Sequence, residues 1–306
     1  MRGFRSSACL VPRSRSTSCV TKRTLTSTAG LGMVDHTASA TEALLIHKAD
    51  AFGGVILDPT ALPQDIDLFS DQLSQSLQVW SSQGVKGVWM QVPLESVALV
   101  APAVKLGLIP HHAEAGHIML TKWLATDIES TLPENCSHQV GVGAFVMNEK
   151  QEVLVVQEAN GPLKGKGVWK MPTGICNQGE DIHLAAEREV LEETGIRARF
   201  DCVLALRQAH GFAFGKSDFF IVVALKPEPG QTQVVPQESE LDAAKWMPLA
   251  EYMANPFLEG INLWDKVRER CGAYAAGTYR GLEGSKLESG LSKPRSDFLL
   301  HGHDLH

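Results

Sequence analysis

Hydrophobic and polar positions in the first half of the chain alternate in a pattern that predicts strands and helices in turn. One amphipathic helix is predicted most clearly, because apolar side chains recur there at spacings of three and four. These side chains are Ile66, Phe69, Leu73, Leu77 and Trp80. Short apolar runs predict strands over residues 54–57, 88–92 and 117–124. With a second helix over 94–106, kinked or split by Pro102, residues 35–131 are expected to form a small α/β domain.

A polar stretch, Asp127 to Ser137, interrupts this pattern and predicts a linker, because it contains Pro133 and Asn135. A second domain is expected over residues 138–271. Its strands are predicted over 140–146, 153–156, 198–206 and 219–225, and its two short closing helices over 249–253 and 258–270. From Gly272 onward Gly, Ser, Lys and Glu prevail with little periodicity, so residues 272–306 are expected to form a mostly disordered tail.

Composition changes this picture chiefly at the amino-terminal end. Residues 1–34 contain basic, Ser and Thr residues and no acidic residue, which is typical of a transit peptide. We expect a disordered leader that directs import into a mitochondrion or a plastid, with the mitochondrion slightly favoured. The alternative is a basic disordered tail on a cytosolic protein. No apolar run reaches the roughly 20 residues that span a bilayer, so no membrane association is expected.

The charge of the remaining chain limits its partners. Without the leader, 22 basic residues face 35 acidic ones, which disfavours binding of nucleic acid through a broad basic face. A small phosphorylated ligand is still compatible with this surface, because a local cation cluster or a metal can hold it. The four cysteines outside the leader are scattered without a CxxC pair, so neither a zinc site nor a disulfide framework is expected.

The most specific chemistry is predicted near the middle of the chain, where three glutamates share one helix. Glu189, Glu192 and Glu193 stand at positions i, i+3 and i+4, so their carboxylates are expected to converge on one volume. Like charges at this spacing repel, and half-buried carboxylates favour a bound cation. Oxygen ligands favour Mg²⁺ or Mn²⁺, and such an ion lowers the pKa of a bound water. A solvated acidic face is the alternative.

The segment from Gly174 to Ile196 resembles the Nudix signature at every fixed position. The resemblance implies an α/β/α sandwich with a mixed sheet. It also implies a metal-binding set formed by Glu189, Glu192, Glu193 and Gly174. Glu180 and Arg188 would support the loop–helix–loop, and Gly174 and Gly195 fit a tight loop entry and a C-terminal helix cap.

A catalytic base outside this segment is common in the family, on a loop before the closing helix. Gln237 to Leu241 lies in the matching place, and Glu240 is preferred there over Glu238. Glu193 is a second candidate for accepting the proton from water, and Glu192 belongs to the same catalytic set. The alternative is that Glu238 and Glu240 are only surface charges.

Segments around the Nudix signature narrow the resemblance. They are 167–174, 206–210, 216–220 and 244–248, and together they resemble the plant ADP-ribose and NADH pyrophosphatase subgroup. Its members carry a pre-Nudix domain resembling half of an acetyltransferase fold, and residues 111–123 look like its end, although Ala115-Gly116 stands where a Pro-containing pair is expected. The resemblance implies hydrolysis of ADP-ribose or of NADH, an NAD-type dinucleotide, to AMP.

Residues outside the signature are candidates for substrate contacts. Arg207 and Lys216 could meet phosphates, and Phe214 or Phe212 could stack on a base. A solvated cation or a core aromatic is the alternative for each. Coenzyme A, FAD and nucleotide sugars stay open as substrates. So do a non-catalytic nucleotide-binding or protein-binding module and a homodimer.

Three further motifs are interpreted as structural. The pair His111 and His112 is interpreted as a structural loop pair rather than a metal site. His301, His303 and His306 are interpreted as part of a flexible terminal tract. The segment from Gly161 to Gly167 lacks the spacing of a phosphate-binding loop, and a flexible hairpin beside the active site is expected there instead.

Overall fold

The computed structural model describes residues 44–211, 213–255, 262–288 and 296–302. Contacts divide the chain into two units between Leu132 and Pro133, within the predicted linker. The predicted transit peptide, Phe212, His303 and His306 lie outside the described residues. None of the described helices is long and apolar enough to cross a membrane.

The first unit is built on a five-stranded mixed sheet in the order β1-β2-β3-β5-β4. Its elements are β1 (His47–Ala49), β2 (Val55–Leu57), α1 (Ile66–Ser82), β3 (Gly87–Pro93), α2 (Val100–Lys105), β4 (Ile109–Glu114) and β5 (His117–Trp123). The predicted amphipathic helix is confirmed as α1. The Asp65 side chain caps it by accepting from the Leu68 N–H, and its apolar face, including Phe69 and Trp80, is buried.

Two predictions for this unit are wrong. The expected helix over 94–106 is a 3-10 segment, Leu94–Leu99, followed by α2, with non-helical backbone at Ser96 rather than a break at Pro102. Pro102 lies in the first turn of α2, where backbone N–H groups have no intrahelical partner to lose. His111 and His112 lie on β4 and not in a loop, with their Nδ1 atoms 2.6 Å apart.

The second unit contains three sheets, three α-helices and a short 3-10 helix, Gly161–Leu163, among its described residues. The four-stranded sheet has the order β8-β6-β10-β9, with β6 parallel to β10, and two-stranded sheets pair β11 with β7 and β12 with β13. The strands are β6 (His138–Val146), β7 (Glu152–Glu158), β8 (Thr173–Ile175), β9 (Ala198–Ala209), β10 (Ser217–Pro227), β11 (Leu241–Pro248), β12 (Glu283–Glu288) and β13 (Ser296–His301). The helices are α3 (Ile182–Thr194), α4 (Leu249–Met253) and α5 (Asn262–Ala275).

Helices cover both faces of this unit's strands, so the predicted α/β/α sandwich with a mixed sheet is confirmed. Ala186 and Val190 of α3 pack in one core with Val142 of β6 and Ile221 of β10. A second core contains Phe145 and Val222 from the same strands, together with side chains of α4 and α5. The likeness of the first unit to an acetyltransferase remains a prediction.

The carboxyl-terminal region departs most from its prediction. The expected disordered tail is wrong for the described residues, because α5 continues to Ala275 and β12 pairs with β13 in an antiparallel hairpin. His301 lies on β13, with Nε2 2.8 Å from the Ser285 hydroxyl, rather than in a flexible tract. Val203 of β9 and Leu282 exchange two backbone hydrogen bonds of 2.9 Å, which attach the hairpin to the domain.

Candidate active site

An ion pair joins the loop before α3 to the middle of that helix. Arg188 donates from Nε to Glu180 Oε1 at 2.7 Å and from Nη2 to Glu180 Oε2 at 2.9 Å, a two-bonded geometry. Its Nη2 also donates to the Ile175 carbonyl at 3.0 Å, while Glu180 accepts from the Asn177 N–H. The guanidinium lowers the pKa of Glu180. These bonds fix the loop on the helix.

The two ends of the Nudix segment contain glycines with different physical roles. Gly195 ends α3 at φ 70° and donates its N–H to the Leu191 carbonyl, so the predicted helix cap is confirmed. The predicted tight loop at Gly174 is wrong, because Gly174 lies within β8 and pairs with Val142. A Cβ at Gly174 would lie 1.9 Å from Cδ of Glu189. Glycine is therefore required for the close approach of this carboxylate to the sheet.

We predict that Gly174→Ala lowers kcat/KM by about tenfold for the diphosphate hydrolysis that the Nudix resemblance implies, because small displacements of catalytic groups are costly. The Glu189 side chain is flexible and can move away from the added methyl group, so the melting temperature should change little. Steady-state kinetics and thermal unfolding measure the two effects. The control is Gly116→Ala, since a Cβ at Gly116 meets no atom within 4 Å. Wild-type kinetics in the Gly174 variant would contradict the requirement.

The Glu193 carboxylate lies in the interior, and the residue is 5% exposed. Burial is the main cause that raises its pKa to about 8; Lys170 opposes the shift, and the charges of Glu189, Glu240 and Glu158 contribute to it. Its Oε2 atom is buried and has no hydrogen-bond partner among the residues that the structure describes. Such an oxygen is costly to bury, so its position suits a ligand to a cation.

The expected convergence of the three glutamates is wrong. Arg188 Nη1 lies 2.7 Å from Glu189 Oε1 and 3.3 Å from Glu192 Oε2, so the guanidinium holds both carboxylates, and Glu192 is 54% exposed. Burial raises the pKa of Glu189. Within residues 44–211, 213–255, 262–288 and 296–302, no group of three or more His, Cys, Asp or Glu side chains lies close enough to hold a metal ion. Binding of one ion by all three would require these side chains to leave their present positions.

Charged residues outside the Nudix segment complete the surroundings of Glu193. Glu240 is exposed, its carbonyl accepts from the Ala159 N–H at 2.9 Å, and its charge raises the pKa of both Glu189 and Glu193. Lys170 donates to Glu158 Oε1 at 2.8 Å and to the Thr173 hydroxyl at 2.6 Å. Sequence reasoning missed both Glu158 and Lys170. Their positions are the signal that could have identified them. Glu158 lies at the end of the apolar strand β7, and Lys170 lies in the segment that leads to Gly174.

Two of the candidate substrate residues, Arg207 and Lys216, have partners other than these glutamates. Arg207 pairs with the buried Asp218, and its guanidinium lies 5.5 Å from the centre of the Phe220 ring, which packs against the core that contains α5 side chains. Lys216 donates to the Cys136 carbonyl at 2.6 Å. Phe214 is 92% exposed at φ 50°, so the alternative of a core aromatic is wrong for this residue.

Comparisons with known proteins agree with this architecture. A family model described as Nudix hydrolase domain matches residues 45–124, and one described as NUDIX domain matches residues 137–264. Nudix hydrolase 2 of Arabidopsis thaliana is 44% identical over 263 residues, covering 86% of this chain and 92% of that protein. Nudix hydrolase 6 of the same plant is 48% identical, covering 75% and 81%.

More distant similarities were also found. The human protein named nucleoside diphosphate-linked moiety X motif 6 is 42% identical, covering 59% of this chain and 58% of that protein. A crystal structure of a NUDIX hydrolase from Nitrosomonas europaea covers 57% of this chain and 90% of that chain, at 17% identity and a TM-score of 0.39. The family assignment rests on the sequence relatives. The chain belongs to the Nudix hydrolase family, whose members hydrolyse pyrophosphate bonds in compounds linked to nucleoside diphosphates.

Proposed function

We propose that this chain hydrolyses the diphosphate linkage of ADP-ribose, of NADH, or of both, releasing AMP. The observation that carries the chemistry is the buried Glu193 oxygen that has no hydrogen-bond partner among the described residues. The charges of Glu189 and Glu240 act on the same carboxylate. A site of this kind is costly to fold and is therefore expected where function requires it.

The donors in this site fit a hard divalent cation, because they are carboxylate oxygens and one of them is buried without a partner. Glu189, Glu192 and Glu193 would hold Mg²⁺ or Mn²⁺. A bound cation of this type polarises a phosphorus centre and lowers the pKa of water. The chain's own contribution is positional: Arg188 and Glu180 hold the helix on its loop, and their hydrogen bonds of 2.7 and 2.9 Å support this role.

Glu240 is proposed as the residue that accepts a proton from the attacking water. Its side chain is exposed beside β11, and its charge reaches both Glu189 and Glu193. An exposed carboxylate can release a proton to solvent after each turnover, whereas the proton on a buried Glu193 has no such path. Glu238 lies exposed in the same turn and is the matched residue for comparison.

The substrate class rests on the resemblance of the surrounding segments to the plant ADP-ribose and NADH pyrophosphatase subgroup. Phe214 is exposed and free to stack on a base, and Lys216 lies two residues away. Arg207 is the weaker candidate for a phosphate contact, because binding there would compete with its ion pair to Asp218. Coenzyme A, FAD and nucleotide sugars remain alternatives, as does a non-catalytic binding module.

The test is hydrolysis by the full chain with Mg²⁺ or Mn²⁺. We expect AMP release from ADP-ribose or NADH with the largest kcat/KM in a panel that includes coenzyme A, FAD and a nucleotide sugar. A larger kcat/KM for another member of the panel would contradict the proposed substrate class but support diphosphate hydrolysis as the reaction. Absence of hydrolysis across the whole panel would favour the non-catalytic module.

Glu192→Gln is predicted to lower kcat/KM by about a hundredfold without loss of folding, because it removes a proposed ligand charge from a side chain that is 54% exposed. The measurement is steady-state hydrolysis at several Mn²⁺ concentrations, together with thermal unfolding. Glu149→Gln is the matched control, since Glu149 is an exposed residue of a turn. Equal activity of the two variants would remove Glu192 from the metal-binding set.

A further inference from the structure

The hairpin formed by β12 and β13, here called the carboxyl-terminal hairpin, contacts the beginning of α3. The Phe298 ring stacks on the His183 ring with centroids 4.1 Å apart and planes 23° apart. It also meets Phe200 of β9 edge-on at 5.7 Å. On the other strand, Lys286 Nζ lies 3.7 Å from the carboxylate of Asp181, the residue that precedes α3. Both strands of the hairpin therefore reach the first turn of the helix.

The position of the hairpin is fixed independently of these contacts. Leu282 pairs with Val203 of β9 through two backbone hydrogen bonds, and Leu300 packs against the core that α3 shares with the sheet. A Cβ at Gly284 would lie 2.1 Å from Cζ of Phe298, so the glycine allows the ring to cross its own hairpin and reach His183. The Phe298 ring therefore lies against the backbone of the strand opposite it.

Other packing near the start of α3 comes from Ile182, which is partly buried against the core that the helix shares with the sheet. The residues of α3 buried in its first half are Ala185 and Ala186, whose small side chains bury little apolar area. The His183 Nδ1 atom is buried and has no hydrogen-bond partner among the described residues, so ring contacts rather than hydrogen bonds set the orientation of this side chain. The hairpin adds an aromatic contact at His183 to this packing.

We propose that Phe298, assisted by Lys286, is a positioning residue for the active site. It holds the first turn of α3 on the domain, and the helix transmits that position to Glu189, Glu192 and Glu193 in its last two turns. A helix of 13 residues is about 20 Å long and stiff over that length, so a tilt at one end displaces the other. The effect on the helix is independent of the proposed function, whereas the effect on catalysis rests on it.

The first experiment is amide hydrogen exchange on the full-length chain. In Phe298→Ala, exchange of the α3 amides is expected to accelerate by about tenfold relative to wild type. Leu299→Ala is the matched control, because Leu299 is the next residue of β13 and is 50% exposed. Phe298→Tyr keeps the ring and should restore wild-type exchange. Unchanged α3 exchange in Phe298→Ala would overturn the proposal.

Phe298→Leu keeps most of the apolar volume but removes the ring that stacks on His183. It tests the positioning role separately if Phe298→Ala increases exchange throughout the domain. Faster exchange confined to α3 in this variant supports the positioning role, and either no change or equal acceleration in β6 overturns it. In the alanine variant, kcat is expected to fall by about tenfold with KM within about twofold of wild type. Absence of hydrolysis by the wild-type chain would refute the proposed function and leave the exchange result intact.

Discussion

Glu193→Gln is expected to reduce kcat/KM by about a thousandfold and at the same time to stabilise the fold. The loss of activity follows from the removal of a proposed metal ligand. The gain in stability follows because the wild-type side chain is buried with one oxygen unpartnered among the described residues. A neutral amide of the same shape avoids both the cost of burying a charge and the cost of protonating a carboxylate above its ordinary pKa.

The gain should depend on pH in a defined direction. The folded pKa of Glu193 is about 8, above the ordinary value of 4.5. Between pH 4.5 and pH 8, the carboxyl group is therefore protonated in the folded chain and ionised in the unfolded chain. Wild-type stability is therefore lost as pH rises from about 4.5 to about 8, whereas glutamine does not titrate. The difference in free energy of unfolding should be small at pH 5 and larger by roughly 4 kcal/mol at pH 8.5.

Urea unfolding at pH 5, 7 and 8.5 in a buffer with a chelator measures this difference, and hydrolysis assays measure the activity. The chelator matters because a bound cation would offset the cost of the wild-type carboxylate. Glu149→Gln serves as the control for removing one exposed carboxylate. Parallel stability curves for wild type and Glu193→Gln would show that the buried carboxylate carries no cost.

The sequence predicted the elements whose signals are local. The spacing of Phe69, Leu73 and Trp80 is sufficient to predict α1, because one side of that helix meets the core along its length. Gly195 has the same character, since a helix end needs a residue that accepts positive φ. The strand β4 was missed because it is an edge strand with little burial, with Ile109 64% exposed, and shows no alternation.

Features that depend on distant partners could not be predicted. The carboxyl-terminal hairpin is attached to the domain by the pairing of Leu282 with β9 and by the stacking of Phe298 on His183. In both contacts the two partners are far apart in the sequence. The spacing of the glutamates placed them on one helix but did not show that Arg188 would hold two of them. Side-chain rotation, unlike helical spacing, depends on which charges surround the helix in three dimensions.

Arg188→Ala is expected to lower the free energy of unfolding by roughly 2 kcal/mol at pH 7, because it leaves two largely buried carboxylates without their cation. The side chains concerned, Glu180 and Glu189, are 15% and 14% exposed. Arg188→Lys should recover only part of the loss, since an ammonium group cannot form the two-bonded contact with Glu180. Activity should fall in both variants, because the loop at Asn177 is no longer tied to the helix.

The pH dependence separates this ion pair from a general packing effect. Arg188 lowers the pKa of Glu180, so the stabilisation is complete above the ordinary value of 4.5 and is lost as pH falls through the lower folded pKa. The loss of unfolding free energy caused by Arg188→Ala should therefore become smaller below pH 4, whereas the loss from a removed packing contact would be the same at every pH.

Arg199→Ala is the control. Arg199 also pairs with a glutamate, Glu228, at 2.8 Å, but its side chain is 79% exposed, so its removal should lower the free energy of unfolding by less than about 0.5 kcal/mol. If Arg188→Ala lowered the free energy of unfolding as little as Arg199→Ala, the ion pair between Arg188 and Glu180 would not stabilise the helix.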